Sequence, residues 1–147
     1  MQISTLSRAK PEKVYIVVHN NEGDEIDPGQ ICEWDDDQTD DDKVGYYVEL
    51  VDAALNTVSG IAGHKVAGVV DTTISTGEVG RLQIYGAAQV RAVATLDKGL
   101  MVGAANAAVS TIVGAAGNGA AVMGAVVGWT IEGSPNNTNA IVMLSCL

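Results

Sequence analysis

Phenylalanine is missing from this chain of 147 residues, and two Trp and four Tyr are all the aromatic side chains it has. Its core must therefore be filled by Val, Ile, Leu and Ala, with 17 Gly letting backbones approach closely. The shortage also argues against a glycosidase cleft, which needs paired carboxylates in an aromatic-lined groove. Histidine is scarce: His19 and His64 stand apart, with no His-x-x-x-His and no Cys-x-x-Cys, so no zinc site is expected. Cys32 and Cys146 are too few for a disulfide framework and read as small buried thiols. Ser59 lies in Val58-Ser59-Gly60 and not in a nucleophile elbow. Gly117-Asn118-Gly119 begins like a phosphate loop, but Val122 stands where the next Gly is required, and a hairpin turn is the expectation. No catalytic residues, no metal and no cofactor are expected.

Positive charge is in short supply. Eight basic residues face 18 acidic ones, for a net charge of −10. Binding to nucleic-acid phosphates works through clusters of Lys and Arg, so a nucleic-acid partner is not expected. An acidic, soluble exterior follows instead. The segment Met1–Lys10 lacks an apolar core, so a cleaved secretion signal is not expected. Charge is absent altogether from Gly99 to Ile131, a length that could span a membrane. Seven Gly, together with Asn106, Ser110, Thr111 and Asn118, oppose that reading. Two uncharged strands joined by the Asn118-Gly119 turn are expected there, and no membrane contact.

What the chain does have is alternation. In the run 81–94, Leu82, Ile84, Gly86, Ala88, Val90, Ala92 and Ala94 share one parity, while Arg81, Gln83, Tyr85, Gln89 and Arg91 share the other. Strand side chains point to opposite faces in turn, so this is a strand with an apolar inner face. At about 3.3 Å per residue the run would reach roughly 45 Å, and Gly86 is the expected bend. Val66–Val70 pairs with it across the turn cluster Ser75–Gly80. Upstream, Val14–Val18, Gln30–Trp34 and Val44–Val51 read as further strands, separated by the turns His19–Asp24 and Asp27-Pro28-Gly29. The fold class expected is mainly β: a compact antiparallel sandwich or barrel-like body with little helix.

An internal repeat runs through this body. Asp97-Lys98-Gly99-Leu100-Met101-Val102 follows the pattern of Asp27-Pro28-Gly29-Gln30-Ile31-Cys32. Met123–Ile131 matches Val66–Ile74, and Ile141–Ser145 matches Arg81–Tyr85. Three matches in one order point to two halves, about 14–94 and 95–147, within a single domain of residues 14–147. Residues 1–13 form a polar arm ahead of it. From Glu33 to Asp42 seven acidic residues repel one another, and Asp35–Asp42 reads as a solvated loop. The spacing of an EF-hand is missing there.

Three groups of residues carry a resemblance: Trp34-Asp35 before the acidic loop, Ala67-Gly68-Val69-Val70, and Arg81–Arg91. In this order they resemble the head-decoration (cement) proteins of tailed bacteriophages, both the lambda-like type and related small β-rich decoration proteins. Val126-Val127-Gly128-Trp129 and Ile141-Val142-Met143-Leu144 look like the same group. The resemblance implies a homotrimer on the outer surface of the phage head, made in the host cytoplasm. It would bridge neighbouring major capsid proteins and so stabilise the shell. Its arm would touch the capsid, with Ile3 and Leu6 as anchors, Gln2, Ser4, Thr5 and Ser7 as adaptable polar groups, and Arg8 and Lys10 as the charges. Leu100, Met101, Val102, Val109, Ile112 and Val113 offer more apolar surface than a small half-core needs, and are expected to be covered between subunits or against the capsid. The competing readings are another phage structural module (tail, baseplate or head fibre) and a cation- or glycan-binding β module.

Overall fold

Nine strands and no helix make up the described residues, which in this computed structural model are 12–35, 45–51, 66–92, 95–105, 108–111, 126–134 and 138–145. The strands are β1 (Val14–Asn20), β2 (Ile31–Trp34), β3 (Tyr47–Leu50), β4 (Val66–Val70), β5 (Val79–Arg91), β6 (Met101–Ala105), β7 (Ala108–Thr111), β8 (Val126–Glu132) and β9 (Asn139–Ser145). They form one sheet in the order β1-β3-β2-β4-β5-β9-β8-β6-β7, and β1 also pairs with β5. That extra pairing closes β1, β3, β2, β4 and β5 into a five-stranded barrel. A ring with an odd number of strands cannot alternate direction all the way round. One parallel pair is therefore required, and it is β1 with β3, His19 facing Tyr47. Every other pairing is antiparallel, as a mainly antiparallel β body requires.

The strand β5 belongs to both halves. Its first part pairs with β1 and β4, and Tyr85 to Arg91 pair with β9 from Ser145 to Asn139. Gly86 sits at the changeover with φ of 93°, and a Cβ there would collide with the carbonyl of Glu12. Beyond it, β5, β9, β8, β6 and β7 repeat the order of β1, β5, β4, β2 and β3, but among the described residues β7 does not pair back onto β5, so this half stays open where the first closes. Cys32 faces Gly68 beside a bulge in β4, where Ala67 is the extra residue, and Val102 faces Gly128 beside a bulge in β8, where Val127 is the extra residue. Val70 faces Leu82, and Thr130 faces Val142. The bridge between Ile26 and Ile74 has its counterpart between Leu96 and Ser134.

The repeat differs from the sequence reading in one register. Gly128 takes the place of Gly68, so the matching run begins at Val126 and not at Met123. Apolar character alone does not fix register in a run where most residues are apolar; the glycine at the bulge does. Among its described residues the uncharged segment holds three strands instead of two, because β6 returns at once as β7 with Ala105 facing Ala108. The Asn118-Gly119 turn and residues 1–11 of the arm lie outside the described residues.

The barrel core contains Val18, Ile26, Cys32, Val48, Ala67, Val70, Ile74 and Leu82, with Trp34 and Leu50 packed at its margin. The second core contains Ala88, Val90, Ala92, Leu96, Val102, Val127, Ala140, Val142 and Leu144, and it also includes Ile31, Val51 and Val69 from the first half. Burying one such Val or Leu contributes about 1.5–3 kcal/mol, and continuity across the halves makes the two cores one body.

Candidate functional site

Three places in the described structure could carry a function: the end of β1 with the acidic segment, a cleft between the halves, and the exposed apolar faces.

At the first, His19 stacks on Tyr47 with ring centroids 4.4 Å apart, and Tyr46 meets Tyr47 edge-on at 5.6 Å. Asp35, expected in a solvated loop, is instead buried and accepts a hydrogen bond from Asn21 Nδ2 at 2.6 Å. Its backbone N–H donates to the carbonyl of Tyr47. The opening of the acidic stretch is thus structural, because β2 ends there against β3; the residues that follow, Asp36–Asp42, lie outside the described residues. Among the described residues no three His, Cys, Asp or Glu side chains converge as metal ligands.

The second place is a cleft of about 310 Å³, whose lining includes Lys13, Asp71, Gln83, Gln89 and Asn139. It lines up no nucleophile beside a base. Gln83 is committed elsewhere: its Nε2 donates to the carbonyls of Tyr85 and Ala87, both at 3.1 Å, on either side of Gly86.

The exposed apolar faces are the third. On β1 and β5, Val17 is 59% exposed and Val79 53%, with Val14 and Tyr85 paired nearby. Arg81 lies over the Tyr15 ring at 5.1 Å and reaches Asp71 at 3.5 Å. On the second half, Met101 is 57% and Trp129 52% exposed, and they face each other across β6 and β8. Trp129 also faces Met143 on β9. The turn that leads into β6 is held by Thr130, whose Oγ1 accepts from the Leu100 N–H at 2.9 Å and donates to the Asp97 carbonyl at 2.6 Å.

Of the residues expected to form an apolar docking surface, Met101 is on such a face. Leu100 is half-buried in the turn. Val102 is corrected: it is fully buried in the second core, as the alternation after Met101 requires. Val109 belongs to β7, opposite Ala104. Ile112 and Val113 lie outside the described residues, as do Gln2, Ile3, Ser4, Thr5, Leu6, Ser7, Arg8 and Lys10. Trp129, Met143, Val17 and Val79 were not anticipated.

No protein-family model matches the chain, and no curated protein matches it. Among solved structures it is similar to the head fiber gp8.5 N base of bacteriophage phi29, with a TM-score of 0.53 and 12% identity. The match covers 92% of this chain and 96% of that one. At this identity the likeness is one of fold, and it extends over both halves of the repeat.

Proposed function

We propose that this chain is a structural protein of a tailed-phage virion that binds the outer surface of the head and stabilises it by bridging neighbouring major capsid proteins. The observation that carries the reading is the fold shared, nearly end to end, with a protein described as a head-fibre base. It joins the resemblance to decoration proteins seen in the sequence. The apolar faces on both halves suit a protein whose work is docking. We assign it no enzymatic reaction, no nucleic acid and no membrane, and a homotrimer as its working form. Several weak contacts from one trimer would sum to firm attachment. The arm Gln2–Lys10 is assigned to the capsid contact, where an extended segment can add to a sheet edge.

The second reading, the base of a head fibre, is favoured by the same fold likeness. Co-sedimentation with empty heads tests both. A decoration protein should bind at high copy number and raise the temperature at which heads disrupt. A fibre base should bind at few sites and leave that temperature unchanged. No binding to heads would reject both. Deleting residues 2–10 should weaken binding at least tenfold, about 1.4 kcal/mol, with the circular dichroism spectrum unchanged.

A further inference from the structure

The two halves of the repeat use one face differently. On the first barrel the outward-facing row Ile31, Val69 and Gln83 is buried, at 0%, 1% and 2% exposure. Ile31 and Val69 are part of the second half's core. Beside them the turn Asp27-Pro28-Gly29 is pressed against β5: the Gly29 carbonyl accepts from the Arg91 N–H at 2.8 Å, and a Cβ on Gly29 would sit 3.3 Å from that nitrogen. The first barrel's face is filled by its neighbour.

On the second half the same row is Met101, Trp129 and Met143, and the same turn is Asp97-Lys98-Gly99. Gly99 repeats the backbone of Gly29, with φ of 83° against 82°, but a Cβ on Gly99 would meet nothing within 4 Å. Met101 and Trp129 are more than half exposed. The chain thus presents the docking face of its first barrel a second time, with larger apolar side chains and, among the described residues, no half of the repeat set against it.

We infer that the Met101–Trp129–Met143 face seats the first barrel of another copy of this chain, in a head-to-tail contact. The repeat identifies the occupant, since the equivalent face is already filled by the other half of this same repeat. It also points to the seat. In the internal contact the turn lies on β5 at Arg91, and the counterpart of Arg91 on the first barrel is His19 on β1, because Arg91 faces Asn139 as His19 faces Val79. His19 itself donates to the Tyr46 carbonyl, so the contact falls on the preceding part of β1. There Val14 and Val17 are exposed, Val14 opposite Tyr85 and Val17 opposite Arg81, with Val79 further along β5. Two apolar faces on one acidic chain, one at each end of the repeat, are what a heterologous interface needs, and such an interface closes into a ring when its rotation permits. A Trp with flanking Met is a suitable anchor for it.

The inference deepens the trimer reading by naming the two surfaces, and its test uses the purified chain without heads, so head binding can fail or succeed independently. Sedimentation velocity would be run on the parent, on Trp129→Glu, on Val17→Glu and on an equimolar mixture of the two. The changes fall on exposed strand positions, and unchanged circular dichroism would confirm folding. The parent should be a closed oligomer and each variant alone a monomer. The mixture should give a dimer and nothing larger, because each copy keeps one intact face and the two intact faces are complementary. A monomeric parent, a Trp129→Glu variant that assembles like the parent, or a mixture that stays monomeric would each overturn the inference.

Discussion

Gly68 and Gly128 occupy the same position in the two halves, each next to the extra residue of a bulge in its own strand, with φ of 157° and 156°. Neither leaves room for a side chain. A Cβ on Gly68 would lie 2.9 Å from the Gln83 carbonyl oxygen and 3.0 Å from Leu82 Cβ, and one on Gly128 would overlap the Met143 carbonyl. Backbone cannot yield as a side-chain tip can. Gly68→Ala should cost about 1–3 kcal/mol, the range for overpacking, and Gly128→Ala more than about 3 kcal/mol. Urea denaturation of the two variants would check the order; equal and small losses would show that the strands separate easily.

Cys32 is the counterpart of Val102 and behaves as a core residue. Burial, reinforced by the nearby Glu22 and Glu33 carboxylates, pushes its thiol up to about 12 from 9.0. The folded chain therefore holds this proton where the unfolded chain releases it. The resulting stability is fully present below pH 9 and is lost as pH rises from there toward 12, at roughly 1.4 kcal/mol per pH unit. Cys32→Val should remove that share of the alkaline loss at little cost in neutral solution, since Val102 already fills the equivalent site. The native thiol should resist alkylating reagents at pH 8. Alkylation at the rate of a free thiol would contradict the burial.

Much of this fold is legible in the sequence because strand alternation is a local signal. Leu82 to Ala92 announce their inner face without help from the rest of the chain. The barrel closure is not legible, since the β1–β3 and β1–β5 pairings join residues far apart in sequence and leave no periodic trace. Docking surfaces are harder still. Val69 and Trp129 are both apolar residues in apolar strands, and only the neighbour that covers one and not the other tells them apart. Val102 was assigned outward and lies inward because an uncharged run of Ala, Val and Gly has too little contrast to show its parity.

The acidic stretch divides at its first residue. Asp35 is buried and takes the Asn21 hydrogen bond, whereas solvated charges contribute little to stability. Replacing Asp36, Asp37, Asp40, Asp41 and Asp42 together by Asn should change the melting temperature little. Asp35→Ala should destabilise by about 1.5–3 kcal/mol, the range for a hydrogen bond to a charged group. If the fivefold variant melts well below the parent, those charges have partners and the solvated reading is wrong.

Gln83 holds the point where β5 leaves the first barrel. Its two amide hydrogens satisfy the Tyr85 and Ala87 carbonyls around Gly86, and its side chain is buried. The equivalent residue in the second half is Met143, where β9 has no such changeover to secure. Gln83→Met keeps the volume and removes both donors, which should cost about 1–3 kcal/mol for the two hydrogen bonds lost. Gln83→Glu is the sharper probe. An ionised carboxylate would aim negative charge at two carbonyl oxygens, while the protonated acid can donate to one of them. Folding should therefore raise the pKa of the introduced Glu above its unfolded value. By linkage, the variant's deficit relative to the parent should be smallest below the unfolded pKa, near 4 on the ordinary scale, and should grow as pH rises through the folded one. Paired urea melts of parent and variant from acid to neutral pH would measure that difference. A deficit that does not change with pH would mean that the side chain at this position reaches water and the carbonyls do not depend on it.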